Sequence, residues 1–416
     1  MTTSSNAFQV PQGESFELLR NRLADSAASW SAEQDAVLSD AGLSQARTAI
    51  SSWPGYSSTP LLSLPALANL LGVGNLHYKD ESSRFGLGSF KALGGAYAVG
   101  RLLQRCIAAE TGGAEPDMQA ILNGEHVNIV SRMTVCCATD GNHGRSVAWG
   151  AERFGCTCVI FIHATVSEAR RQAIERYGAR VIRTEGNYDD SVRAAQQAAS
   201  DNDWFVVSDT SYPGYVDIPR DVMQGYELMA AEADEQLASR PTHVFIQTGV
   251  GGVAAAVAAY FTRRYGKDRP QIILADPDQS ACWLATLRAG EPTAVVGDLD
   301  TVMAGLACGE VSLLAWTILR QHADAVVAIP DSGVAPMMRQ MAFPLDGDPA
   351  AVAGESAVAG MLALALVAQV AETREALHLS SESSVLVFGT EGDTDPELYQ
   401  ALVGKSGDEV RQQATC

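Results

Sequence analysis

Basic charge is what this chain has least of. Its 29 Lys and Arg residues face 49 Asp and Glu, a formal net charge of -20. Nucleic acid and anionic membranes are bound through basic patches, so neither is an expected partner, and a small molecule is. Long apolar runs are missing too: none approaches the ~20 residues that span a bilayer. Met1–Gln12 is polar and lacks the apolar stretch of a signal peptide, which makes the cytoplasm the expected compartment. Metal-ligand spacing is also absent. The 8 cysteines include a vicinal pair (Cys136, Cys137) and a C-x-C (Cys156, Cys158), but neither has the second pair that a zinc site requires. No metal is therefore expected, and the cysteines read as reduced core residues in apolar strands.

What is present suits a large globular core: 47% hydrophobic and 19% charged residues over 416 positions. From Thr134 onward, short β-branched runs (Val135–Thr139, Cys158–Ile162, Arg180–Arg183, Trp204–Ser208) alternate with helical segments (Gly144–Phe154, Ser167–Tyr177, Asp189–Ser200). A second series follows at His243–Gln247, Gln271–Ala275, Ala325–Ile329 and Ser384–Phe388. Such alternation predicts α/β architecture, with open, mostly parallel sheets flanked by crossover helices. Before it, Glu14–Ser52 has a helical pattern, and Thr111–Asn128 reads as a surface excursion. Gly and Pro cluster near Gly94–Gly100 and Tyr212–Pro219. The expected organisation is a large domain of residues 1–96 and 214–416, with a small α/β domain of 97–213 inserted in it.

Three stretches carry candidate chemistry. In Lys79–Ala98, KDESSRFGLGSFKALGGAYA, a short strand (Leu76–Lys79) leads through a Ser- and Gly-rich turn into a helix for which Ser89 is the expected N-cap. Lys91 then sits in the first turn, at the positive end of the helix dipole, where an ammonium is poorly placed. Partial burial between Phe90 and Leu93 would further depress its pKa, as a Schiff-base lysine requires; the plain alternative is a surface lysine lying along a capped helix. The second stretch, Thr139-Asp140-Gly141-Asn142-His143-Gly144, reads as a polar strand-to-helix turn with Asp140 and Asn142 facing a ligand, or as an ordinary capped loop with His143 in a structural hydrogen bond. In the third, Thr248-Gly249-Val250-Gly251-Gly252-Val253, backbone free of bulky side chains opens a helix, as a bound phosphate requires.

The third loop also admits a rival reading. Gly249, Gly251 and Ala254 fit G-x-G-x-x-A after a strand, and Asp276 ends the next strand where a ribose-binding acid would fall. A nicotinamide-dependent oxidoreductase is thus a competing expectation. No G-K-[ST] follows, which argues against a nucleoside-triphosphate loop.

Taken together, S-S-R-F-G-L-G-S-F-K-A-L-G-G, T-D-G-N-H-G-R, the Gly loop, A-G-L-A-C-G-E (Ala304–Glu310), G-E-S-A-V-A-G (Gly354–Gly360) and T-E-G-D-T-D (Thr390–Asp395) resemble the fold type II enzymes dependent on pyridoxal 5'-phosphate. More narrowly, they resemble the diaminopropionate ammonia-lyases among them, from about Thr59 to Asp395. The resemblance implies a two-domain fold type II enzyme and a homodimer. It implies Lys91 as the Schiff-base lysine with Phe90 beside it, Gly249, Val250, Gly251 and Gly252 as the phosphate loop, and Asn142 on the cofactor's phenolic oxygen. Thr390 would face the pyridine nitrogen, where a hydroxyl leaves that nitrogen largely unprotonated. Asp140 stands where the serine and threonine dehydratases carry Ser, and Asp209 matches a second carboxylate near the substrate. Two features depart from the lyase pattern, a longer Thr111–Asn128 segment and Gly252-Val253 in the Gly loop, and they leave room for a related β-substituted amino acid.

The implied reaction is α,β-elimination from 2,3-diaminopropionate to pyruvate and ammonia. Carboxylates would attract the β-ammonium and discriminate against a β-hydroxyl. Lys91 would act as base on one face of Cα and Asp140 on the other, so that both enantiomers react. The nearest alternative is a serine or threonine dehydratase. A catalytically silent relative that binds cofactor or amino acid is a third reading, opposed by the presence of Lys91 and two carboxylates.

Overall fold

The computed structural model describes residues 15–139, 141–186 and 188–413. Met1–Gln12 and Asp140 lie outside the described residues. Among the described residues eleven strands form two sheets. The larger contains β1 (Glu17–Arg20), β2 (Leu61–Ser63), β3 (Asn75–Asp80), β8 (His243–Gln247), β9 (Gln271–Pro277), β10 (Ala325–Ile329) and β11 (Ser384–Gly389), in the order β1-β10-β9-β8-β11-β3-β2. The smaller contains β4 (Thr134–Ala138), β5 (Thr157–Ile162), β6 (Arg180–Arg183) and β7 (Phe205–Val206), in the order β6-β5-β4-β7. All neighbours are parallel except the edge pairs β1–β10 and β2–β3. Strands β8, β10 and β11 are buried along their whole lengths, and β9 is buried from Ile272 onward, as expected of parallel strands covered on both faces.

Both predicted series of strands are present. The N-terminal expectation needs correction: within Glu14–Ser52 the chain forms helices Ala32–Val37 and Asp40–Ser51, but Glu17–Arg20 is a strand. Its register with Ala325–Ala328 supplies backbone partners that local periodicity does not reveal. The Thr111–Asn128 excursion is partly ordered as helix Met118–Leu122, which buries Met118 and Ile121.

The helix that follows Lys91, Ala92–Thr111, is packed from two sides. A Cβ on Gly94 would lie 2.4 Å from the Tyr226 ring, and one on Gly150 would lie 2.7 Å from Ala96 Cα. The first contact brings in helix Asp217–Gln236, the second helix Asn142–Phe154. These approaches fix Lys91 against both neighbours, since close-packed backbones transmit little slack. Beneath the turn, the Arg84 guanidinium bonds Glu81 Oε2 at 2.8 Å and Glu232 Oε2 at 2.7 Å. Lys79 joins Glu232 Oε2 at 3.1 Å and the Thr59 carbonyl at 2.7 Å. All four charged side chains are buried, so Arg84 and Lys79 serve the fold.

Candidate active site

Lys91, Asn142, Asp209, the Gly loop and Thr390 all follow the carboxyl ends of parallel strands, where open α/β sheets hold ligands. Strands β8, β11 and β3 are successive neighbours, which brings the Gly loop, Thr390 and Lys91 to one side. The candidate side chains line a single cavity of about 1370 Å³. Asp140 lies outside the described residues.

Two expectations about Lys91 are corrected. The helix begins at Ala92, with Lys91 itself at the cap position, and Ser89 instead forms a β-bridge with Glu391. The pKa is also not depressed. Burial pushes the ammonium down, but the Asp209 carboxylate, with Tyr226 and Cys308 adding to it, outweighs that and holds it well above the usual lysine range. Lys91 Nζ donates to Asp209 Oδ2 at 2.5 Å. Burial would raise the Asp209 carboxyl, yet Lys91 and then His143 hold it well below the usual carboxylate range. The lysine nitrogen lies 5.4 Å from the Phe90 ring centroid and 5.8 Å from that of Tyr226, so its flanks are aromatic and water is partly excluded.

His143 lies beside this pair. Its Nε2 is 2.8 Å from the Val207 carbonyl, which only accepts, so Nε2 carries a proton. Nδ1 is 3.7 Å from Asp209 Oδ2. The structural hydrogen bond expected of His143 is present, and the ring also borders the carboxylate.

The Gly loop lines the cavity. Its carbonyls are tied back: Gly249 accepts from Trp283 Nε1 at 3.1 Å, Val250 from Ser312 N at 2.9 Å and Gly251 from Ala255 N at 2.9 Å. The N–H groups of Gly249, Val250, Gly251 and Gly252 have no hydrogen-bond partner among the described residues. They open helix Gly252–Tyr265. Free amides at a positive helix end fit a phosphate. Gly251 is required twice over, by its φ of +98° and because a Cβ there would lie 2.3 Å from the Trp283 ring.

The rival reading of that loop fails on Asp276. Its carboxyl Oδ2 accepts from Trp283 N at 2.9 Å and Leu284 N at 3.2 Å, at the start of helix Cys282–Ala289. It is fully buried and is committed to the fold, away from any ribose.

Asn142 opens helix Asn142–Phe154, and its amide donates to Glu391 Oε2. Thr390 is buried, its carbonyl accepts from Phe90 N at 3.0 Å, and its hydroxyl lies 2.5 Å from Gln247 Nε2. Arg170, which lines the same cavity, reaches Glu355 Oε1 at 2.8 Å and Asp395 Oδ2 at 3.5 Å. The sequence reading missed Tyr226, Gln247 and Glu391. Tyr226 comes from a helix with no motif of its own. Gln247 carried a legible signal, a polar residue ending the apolar strand H-V-F-I-Q, and Glu391 stood unassigned inside T-E-G-D-T-D.

Comparison with known proteins bears directly on this site. Residues 53–391 match the family model described as pyridoxal-phosphate dependent enzyme. The chain belongs to that family. Its relatives include diaminopropionate ammonia-lyase of Escherichia coli (strain K12), 42% identical over 359 residues, covering 84% of this chain and 88% of the relative. The corresponding protein of Salmonella typhimurium is 39% identical over 84% of this chain and 89% of its own. The solved holo structure of the Escherichia coli enzyme superimposes with a TM-score of 0.86, at 37% identity, over 94% of this chain and 97% of that one. As a pyridoxal-phosphate dependent enzyme, the chain takes pyridoxal phosphate as its cofactor, and the free amides of the Gly loop beside Lys91 fit that group. Among the described residues no group of ligands suits a metal ion, and no helix is long and apolar enough to cross a membrane.

Proposed function

We infer that this enzyme is a carbon–nitrogen lyase that removes the β-amine of 2,3-diaminopropionate by α,β-elimination, yielding pyruvate and ammonia. The observation that carries this reading is the Lys91–Asp209 pair, set at 2.5 Å in the same cavity as the free amides of the Gly loop. Relatives at 42% and 39% identity bear the name diaminopropionate ammonia-lyase, and a solved relative with a TM-score of 0.82 holds an aminoacrylate-PLP azomethine reaction intermediate.

Pyridoxal phosphate, when bound, supplies the carbonyl that condenses with an amine and the conjugated ring that takes up the electron pair released at Cα. The remaining work falls to the chain. The N–H groups of Gly249 to Gly252 hold the phosphate. Lys91 Nζ is the amine that anchors the cofactor and, once displaced by substrate, the base that takes the Cα proton from its side. Asp209 Oδ2 holds the proton on Nζ while the lysine waits and presents negative charge to the substrate's β-ammonium. Asp140 is assigned as the base on the opposite face, which the D-isomer would use. Asn142 is assigned to the phenolic oxygen, Thr390 to the ring nitrogen, and the Phe90 ring to shielding the lysine.

The two sheets support a division into residues 1–96 with 214–416 and residues 97–213. We take the working form to be a cytoplasmic homodimer, on the strength of the acidic composition and the resemblance described above. The test of the function is pyruvate release from D- and L-2,3-diaminopropionate by the cofactor-loaded protein, with D- and L-serine alongside. Preference for serine would reassign the enzyme to the dehydratases.

A further inference from the structure

Gln247 ends β8, is buried, and lines the same cavity as Lys91 and Thr390. The chemistry of its neighbours allows its amide one orientation. One end lies 3.1 Å from the Phe388 carbonyl oxygen, which only accepts, so that end is the NH2 group. The same nitrogen lies 2.5 Å from Thr390 Oγ1. An NH2 group only donates, so the threonine oxygen accepts there and its own proton points elsewhere. The Thr390 backbone cannot swing to relieve this, because its carbonyl is held by Phe90 N at 3.0 Å. Gln247 Oε1 has no hydrogen-bond partner among the described residues. An apolar residue of similar volume would fill the space without leaving a buried acceptor unpaired, which makes the donor end the part of this side chain that does something.

We propose that Gln247 is a positioning residue that turns the Thr390 hydroxyl proton toward the ring nitrogen of pyridoxal phosphate. The inference rests on the assignment of Thr390 to that nitrogen. A nitrogen that accepts a hydrogen bond from a neutral hydroxyl stays unprotonated. Such a ring withdraws less charge from Cα than a pyridinium does, which favours expulsion of the β-amine over return of a proton to the ring system.

The measurement is the 15N chemical shift of the ring nitrogen in holoenzyme reconstituted with ring-15N pyridoxal phosphate, with the 31P signal reporting that the phosphate remains seated. Gln247→Met should move the 15N signal from the position of a hydrogen-bonded, unprotonated pyridine toward that of a free one. Thr390→Val should move it as far, the double variant no farther than Thr390→Val alone, and Thr390→Ser should leave it near wild type. A signal unmoved by Gln247→Met but moved by Thr390→Val overturns the inference and leaves the assignment of Thr390 standing. A signal unmoved by Thr390→Val removes that assignment and the inference with it. Should Gln247→Met not take up the cofactor, Gln247→Glu carries the test at alkaline pH. Its carboxylate would draw the Thr390 proton to itself and shift the signal the same way, and an unmoved signal overturns the proposal.

Discussion

Lys91 Nζ and Asp209 Oδ2 stand 2.5 Å apart, from loops that follow strands of different sheets. The pair holds the lysine's pKa well above its usual range. Asp209→Asn should remove the main opposition to burial at Lys91, so its pKa falls and the free amine becomes more abundant near neutral pH. Cofactor uptake at neutral pH, followed by absorbance, should then be faster than in wild type, while turnover falls by about a hundredfold. Slower uptake together with slower turnover would give Asp209 a different role.

The Gly loop prediction concerns close approach. Gly251→Leu places a side chain where φ is +98° and the Trp283 ring is already in contact. Affinity for pyridoxal phosphate should drop more than tenfold, about 1.4 kcal/mol, as read by equilibrium dialysis. Unchanged affinity would remove the loop from the phosphate site.

Asp276 yields a prediction in pH. Burial pushes its carboxyl up to about 8 from an ordinary value of 3.8, against the backbone N–H groups of Leu284 and Trp283 that pull it down. Between those values the folded protein holds a proton that the unfolded chain has released. Its contribution is therefore complete below about 3.8 and lost as pH rises toward about 8. Asp276→Asn keeps an oxygen for both N–H groups and does not titrate, so the fall of Tm between pH 5 and 8 should be shallower than in wild type, by roughly the share one group contributes. An unchanged slope would mean that the carboxyl does not titrate in this window.

Much of this was legible in the sequence, for physical reasons. Strand β8 was readable because H-V-F-I-Q is short, apolar and bounded by turn residues, and the Gly loop because few arrangements besides an anion site need so little side chain at a helix start. Strand β1 was not, because E-L-L-R becomes a strand only by pairing with Ala325–Ala328, and pairing over that separation leaves no local trace. The raised pKa of Lys91 was hidden for a similar reason. Its partner Asp209 is 118 residues away, whereas the dipole argument used only neighbours in the chain. Asp276, read locally, fitted a ribose acid; its real partners Trp283 and Leu284 follow a turn whose path the sequence does not display.

By the resemblance described above, Asp140 is assigned to the place where serine and threonine dehydratases carry Ser. Asp140→Asn preserves shape and removes a proton acceptor, so activity should fall unequally. Pyruvate release from the D-isomer should drop by about a hundredfold to ten-thousandfold, and release from the L-isomer, deprotonated by Lys91, should drop less. Equal losses would reject two bases on two faces, and undiminished activity would remove Asp140 from the chemistry.

The central claim is that Lys91 is the residue that binds pyridoxal phosphate covalently. Borohydride reduction of the cofactor-loaded protein, followed by proteolysis and peptide mass mapping, tests it most directly. The account predicts the pyridoxyl group on Lys91, with no covalent label and no turnover in Lys91→Ala. Label on Lys79, which the structure commits to Glu232 and the Thr59 carbonyl, or on Lys267 would contradict it.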